Sequence, residues 1–241
     1  MNDDLAQLFA SLKLRKMAEI YDSEAQKNDK SGEPVSKLLA RLLRAELHDR
    51  QERSLAARIK QARLPEQWSL ESFPFKKQPG VSQRQIRTLA ELDFVGRAEN
   101  IVFVGPTNVG KTGLATGLLL KAMQNGYRGI FVSAQDLFDE MYASLADRST
   151  RRLLDRLVRV DVLLIDELGY QNLKPEQTNI FFKLMHERHR RKPTILTSNL
   201  DYPEWHDFFG NAKIVEALLT RLRYKCHTIK IDGPRLDELQ G

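Results

Sequence analysis

Eight consecutive residues constrain this chain more than any other feature: Gly105, Pro106, Thr107, Asn108, Val109, Gly110, Lys111 and Thr112. The apolar run 101–104 leads directly into them, and a helical pattern follows over 113–125. A strand, a glycine loop and a helix in that order aim successive backbone N–H groups at one point. The glycines permit the bend, and the helix N-terminus adds partial positive charge. That point suits a phosphate. Lys111 would reach the β- and γ-phosphates of a nucleotide, and the Thr112 hydroxyl would ligate Mg2+. Residues 105–112, with Gly113 opening the helix, are therefore the expected cradle for ATP.

Four apolar residues at 162–165 run into Asp166 and Glu167. Ligands of open α/β sheets sit at the carboxyl ends of strands, where the glycine loop also lies. Asp166 is expected to hold Mg2+, directly or through water. Glu167 is placed to polarise a water for attack on the γ-phosphate, which favours hydrolysis over transfer to a metabolite. Alone, the pair would read as an acidic strand end entering a turn at Gly169. A third apolar stretch, 194–196, ends in Thr197, Ser198 and Asn199. Asn199 could reach both the γ-phosphate and the attacking water; alternatively, Ser198 or Asn199 caps the next segment. The catalytic set within one chain is then Lys111, Glu167 and Asn199.

Around these motifs the chain falls into three parts. Residues 1–64 read as helical. One helix carries Leu5, Leu8, Phe9, Leu12 and Leu14; a second carries Leu38, Leu39, Leu42, Leu43, Ala45 and Leu47, then runs on through Leu55, Ile59 and Leu64 to Pro65. Pro34 stands near the start of the second helix, and the polar break includes Ser31 and Gly32. Residues 65–80 form a linker broken by Pro65, Pro74, Pro79 and Gly80. Its aromatics, Trp68, Phe73 and Phe75, are expected to lie on the next domain. Over 81–241, apolar stretches at 101–104, 129–132, 162–165, 194–196 and 226–231 alternate with helical segments. This indicates a parallel sheet covered on both faces.

Bulk properties narrow the setting. The single cysteine, Cys226, excludes an intramolecular disulfide and fits a reducing compartment. The acidic start lacks the pattern of a signal peptide, and no apolar run approaches the roughly 18–20 residues of a membrane span. A cytoplasmic protein without membrane contact is expected. The net charge of +6 favours polyanionic partners, nucleic acid first.

The assembled motifs resemble the AAA+ helper ATPases of insertion sequences, the IstB family, and more distantly the DnaC-type helicase loaders. The likeness rests on Leu70-Glu-Ser-Phe-Pro-Phe75, Asn100-Ile-Val-Phe-Val with the glycine loop, and Leu163-Leu-Ile-Asp-Glu-Leu-Gly-Tyr170. Thr197-Ser-Asn199, Glu204-Trp205, Leu219-Thr-Arg-Leu222 and Ile229-Lys-Ile-Asp-Gly233 complete it. The resemblance implies an α/β AAA+ P-loop ATPase. It implies a parallel five-stranded sheet in the order 5-1-4-3-2, beside a small all-helical N-terminal domain that contacts DNA or a partner. It also implies assembly on duplex DNA as a ring or spiral, a partner transposase that is recruited or stimulated, and an arginine finger in trans. Arg221 matches the family's motif position, and Arg223 is close enough to compete. Asn108 replaces the usual glycine of the loop, Thr220 replaces the usual acid before the arginine, and the tail after Gly233 lacks the usual aromatic. Asn tolerates left-handed backbone angles, so Asn108 is compatible with binding.

A replicative helicase loader like DnaC is the alternative function. A small-metabolite kinase would need a substrate lid and acceptor-binding residues, and the sequence offers neither. Arg188, Arg190, Arg191 and Lys192, with His186 and His189, read either as a phosphate-backbone contact or as a solvated helix end. Arg41, Arg44, Arg50, Arg53, Arg58, Lys60 and Arg63 read as DNA contacts or as helix pairs with Glu46, Asp49 and Glu52. The two histidines lack a third ligand, so no metal besides Mg2+ is expected. Cys226 reads as a buried, inert thiol, and Trp205, Phe208 and Phe209 as a packing cluster.

Overall fold

The leucine pattern at the start of the chain forms two helices where its spacing predicts one: α1 (Asp3–Ser11) and α2 (Arg15–Ser31). Lys13 adopts a left-handed conformation, φ +55. Its N–H reaches Ala10 O (3.1 Å) and that of Leu14 reaches Phe9 O (2.8 Å). This double closure ends a helix usually through glycine, and a lysine there gives no warning in sequence. The break at Gly32 appears as expected, with φ +64 closing α2. The third helix, α3 (Val35–Ala62), stops before Leu64 because Arg63 turns left-handed at φ +57.

This computed structural model describes residues 2–65 and 69–237, in two compact units, Met1–Ala57 and Arg58–Gly241. Trp68 lies outside the described residues. In the first unit, Phe9, Met17 and Leu42 form a small core. The buried Glu46 carboxylate accepts the N–H groups of Lys16 (2.8 Å) and Met17 (3.2 Å) at the start of α2. Its arginines pair with acids: Arg41 with Glu24 and Glu33, Arg50 with Glu46, Arg53 with Asp49.

In the second unit, α4 (Gln83–Leu89) and α5 (Asp93–Gly96) precede the strands β1 (Asn100–Val104), β2 (Gly129–Ser133), β3 (Val162–Leu168), β4 (Thr194–Ser198) and β5 (Cys226–Lys230). All four pairings are parallel, in the order β2-β3-β4-β1-β5. Read from the other edge this is 5-1-4-3-2. Every residue of β1 and β4 is buried, as central parallel strands between helical layers require, the polar Asn100, Thr194, Thr197 and Ser198 included. Helix α6 (Lys111–Gln124) buries Leu114, Leu118, Leu119 and Met123. Helices α7 (Ala134–Ala146), α8 (Thr150–Arg159), α9 (Pro175–Arg188), α10 (Trp205–Phe209) and α11 (Ala212–Arg223) complete the layers. One core cluster joins Leu137, Leu154, Phe181, Trp205, Phe209 and Leu218 to Leu163 and Leu196 of the sheet, with Phe208 packed against it. Trp205, Phe208 and Phe209 thus pack rather than form a stacking platform. Asn100 fixes the start of β1 by bonding Leu222 O and the Thr194 N–H, each at 2.9 Å.

Candidate functional site

The loop leaving β1 is tightly confined. A Cβ on Gly105 would collide with the Ile231 carbonyl, and one on Gly110, φ +95, would lie 2.6 Å from the Phe73 ring. Asn108 takes φ +63, the left-handed angle that its departure from glycine required. Lys111 is curled onto its own loop, with Nζ donating to Gly105 O (2.8 Å) and Pro106 O (2.5 Å). Burial lowers its pKa, while Asp166 and Glu167 act in the opposite direction.

The carboxylates stand at an irregularity in β3. Ile165 pairs with Leu196 and Leu168 with Ser198, so Asp166 and Glu167 together oppose Thr197 alone. Two residues against one is a β-bulge, and it makes β3 longer than the predicted 162–165. Glu167 carries the strain at φ +60. Asp166 is buried and accepts the Thr112 hydroxyl at 3.0 Å on each oxygen. The Thr197 hydroxyl donates to Asp166 Oδ1 and accepts the Glu167 N–H at 2.9 Å. Burial raises the Asp166 pKa; the Thr197 and Thr112 hydrogen bonds oppose it. Glu167 is exposed.

Asn199 follows on the neighbouring strand end. Its Oδ1 is buried and has no hydrogen-bond partner among the described residues. A cleft of about 540 Å³ brings together Thr107, Asn108, Gly110, Lys111, Thr112, Gly113, Glu167 and Asn199. A phosphate-type loop, a lysine at its end and the hard oxygens of Asp166 and Thr112 fit a nucleotide with Mg2+.

Two segments wall the cleft, one being the linker. Phe73 is buried against Gly110, and its ring centroid lies 4.8 Å from that of Phe75. The other is the tail, which sequence reading did not assign. Leu236 N–H donates to Asn108 O (2.8 Å), and Asn108 Nδ2 donates to Asp237 Oδ2 (2.6 Å). Gln78 Nε2 ties the segments together by donating to Val109 O and Pro234 O, each at 3.0 Å. Gln78, Thr197, Leu236 and Asp237 are the residues missed. Only Thr197 had a local signal, a hydroxyl two positions before Asn199.

Arg221 and Arg223 stand apart from this cleft. Arg221 Nε donates to His186 Nδ1 (3.1 Å), Nη1 donates to Ala217 O (2.7 Å), and the guanidinium covers the Phe182 ring. Arg223 is exposed and lies 5.0 Å over the Tyr202 ring. Arg188 departs from both sequence readings, being neither a phosphate contact nor solvated. It is 1% exposed and donates to Thr194 Oγ1, Leu157 O, Val160 O and Pro193 O. Burial lowers its pKa to about 9. Cys226 is partly rather than fully buried, because β5 is an edge strand, and burial raises its pKa.

The family model described as "IstB-like ATP binding protein" matches residues 7–238. The chain belongs to this family. A protein of insertion sequence IS5376 from Geobacillus stearothermophilus is 35% identical over 92% of this chain and 88% of that one. An IS21 protein from Pseudomonas aeruginosa is 34% identical over 95% and 87%. Among solved structures, DnaI superposes with a TM-score of 0.58 at 25% identity, covering 68% of this chain and 90% of that one. The DnaC helicase loader gives 0.57 at 22%, covering 68% and 97%. The IstB-like chain therefore carries the AAA+ fold of these neighbours, with an ATP-binding family's glycine loop.

Proposed function

We propose that this IstB-like protein is a Mg2+-dependent ATPase that assembles on duplex DNA and recruits or stimulates a transposase. The observation that carries the hydrolytic reading is that Glu167 and Asn199 both line the cleft that holds Lys111. In this reading Lys111 leaves the Gly105 and Pro106 carbonyls for the phosphates. Glu167 takes a proton from the attacking water, and Asn199 orients that water. Asp166 and Thr112 would hold Mg2+, which when bound neutralises charge on the phosphates. The kinship with insertion-sequence proteins along almost the whole chain supports the transposition role over a helicase loader.

The distribution of charge supports a division of labour. Residues 1–57 hold ten Lys and Arg against ten Asp and Glu, so the whole +6 lies in 58–241. A neutral helical segment with paired arginines suits a protein partner, whereas the basic segment suits phosphate backbone. On this reading the neutral stretch 1–57 of the helical domain 1–64 contacts the partner, Arg58, Lys60 and Arg63 belong to the basic part, 65–80 is the linker and 81–241 the ATPase domain. A shared active site needs a trans arginine. Arg221 is engaged within its own chain, whereas the Arg223 guanidinium makes no side-chain hydrogen bond among the described residues and only lies over Tyr202, which supports Arg223 as the finger. No helix among the described residues is long and apolar enough to cross a membrane, consistent with a cytoplasmic setting.

The test is ATP turnover with and without duplex DNA, with particle mass measured in ATP. Turnover stimulated by DNA in an oligomer is expected, and Glu167→Gln should bind ATP while losing about 10²-fold in rate. Mixing Glu167→Gln with Arg223→Ala subunits should restore activity. Failure in mixed assemblies, with recovery when Arg221→Ala replaces Arg223→Ala, would return the finger to Arg221.

A further inference from the structure

In a strand flanked on both sides, as β3 is, each N–H finds a carbonyl on one neighbour or the other. The bulge in β3 breaks that rule where the two carboxylates stand. Because Asp166 and Glu167 oppose the single residue Thr197, the Glu167 N–H takes a side-chain partner in place of a ladder carbonyl. Thr197 is itself fully buried, on a strand whose five residues are all buried. A buried N–H without an acceptor is costly, and so is a buried carboxylate with too few donors.

Resting on the ATPase reading above, we infer that Thr197 is a positioning residue that sets Asp166 and Glu167 for their separate tasks. A hydroxyl has one hydrogen to give and lone pairs to receive. Thr197 uses both at once: its hydrogen goes to Asp166 Oδ1, and its oxygen takes the Glu167 N–H. One atom thereby fixes the carboxylate of the first residue and the backbone of the second. The left-handed angle of Glu167, φ +60, is held by that bond on one side. On the other, Gln171 Nε2 donates to Glu167 O at 3.1 Å. The second hydroxyl on Asp166, from Thr112, belongs to the group expected to turn to Mg2+, so it cannot serve as a permanent anchor. Thr197 is the anchor that remains. Serine can replace it chemically. Valine keeps its shape and removes both bonds. Alanine removes both and leaves space.

The experiment compares Thr197→Val, Thr197→Ala and Thr197→Ser with the wild type. Turnover is measured across Mg2+ concentrations, and affinity for a fluorescent ATP analogue with and without Mg2+. Thr197→Val is expected to lose about 10²-fold in kcat, as a misplacement near 1 Å would cause. It should need more Mg2+ for half-maximal rate and lose the increment in analogue affinity that Mg2+ confers. Metal-free affinity should stay at the wild-type value, because the loop residues are untouched. Thr197→Ser should recover most of the lost rate and the Mg2+ increment. Wild-type kcat and Mg2+ dependence in Thr197→Val would overturn the assignment. So would a serine variant as impaired as valine, which would make the methyl group the essential part. Loss of metal-free analogue binding in both the valine and alanine variants would make Thr197 a residue of the fold alone. A wild type that binds the analogue with Mg2+ but hydrolyses no ATP would refute the ATPase reading instead, and the Mg2+ increment would still decide for or against Thr197.

Discussion

Gly169→Ala isolates the geometry of the strand end from the binding of phosphate. Gly169 lies two residues beyond Glu167 at φ +125, an angle that costs a side-chain-bearing residue about 1–3 kcal/mol. A Cβ there would collide with Asn199 Oδ1 and sit 2.7 Å from Leu200 Cγ. Leu200 can yield by rotating its side chain. Asn199 Oδ1 is enclosed, so relief of the overlap displaces the Asn199 amide from its present position. Under the proposed function, in which Asn199 orients the attacking water, a shift of roughly 1 Å costs about 10²-fold in rate. The glycine loop is separate in sequence and makes none of these contacts, so ATP affinity should change by less than about threefold. The strain should also lower Tm by about 2–10 °C for a domain of this size. Steady-state kinetics, calorimetric ATP binding and a thermal melt read the three quantities separately. Wild-type kcat in Gly169→Ala, or a loss of affinity as large as the loss of kcat, would refute the reasoning.

Lys111→Ala should weaken ATP binding by about tenfold or more, as loss of a charge-assisted contact of roughly 1.5–3 kcal/mol implies; equal affinity by calorimetry would misplace the phosphates. Arg188→Met should destabilise the second unit by about 3–5 kcal/mol, because it strands the carbonyls of Leu157, Val160 and Pro193, and a melt unchanged from wild type would contradict this. Burial would raise the Glu46 carboxyl, but Arg50 and the Met17 and Lys16 N–H groups outweigh it, and its pKa lies below the usual value. Its contribution is therefore complete above the unfolded carboxylate pKa and is lost as pH falls through the lower folded value; circular dichroism melts of Glu46→Gln should lack that acid-dependent part.

What the sequence discloses depends on whether a signal is periodic or local. The strands were legible because each carries a short apolar run bounded by turn or helix residues, and the glycine loop because its chemistry is fixed residue by residue. The strand order came from family likeness, since hydrophobic runs carry no information about which strands are neighbours. Lys13 ends α1 at a positive φ that lysine rarely adopts, so α1 and α2 read as one helix. Arg188 shares a cationic run with Arg190 and Arg191, which are exposed. Its burial follows from the helix face it occupies and from carbonyls contributed by residues more than twenty positions away. The tail was out of reach for the same reason: Asp237 meets Asn108 across 129 residues.

The adjacent carboxylates show why a motif can be visible while its mechanism is not. In a regular strand, consecutive side chains point to opposite faces. One of two neighbouring acids would then face each layer of helices. The bulge removes that constraint at the end of β3. Asp166 can stay buried against Thr112 while Glu167 emerges into the cleft beside Asn199. The two acids thereby differ in surroundings, one enclosed and hydrogen-bonded by hydroxyls, the other exposed, and unlike surroundings are what let neighbouring carboxylates take unlike roles. A bulge leaves its own N–H in need of a partner, and Thr197 meets that need from the facing strand. The Asp-Glu pair is thus only half of the device. Its other half lies thirty residues on, in a threonine whose residue type is set by the two hydrogen bonds it must make.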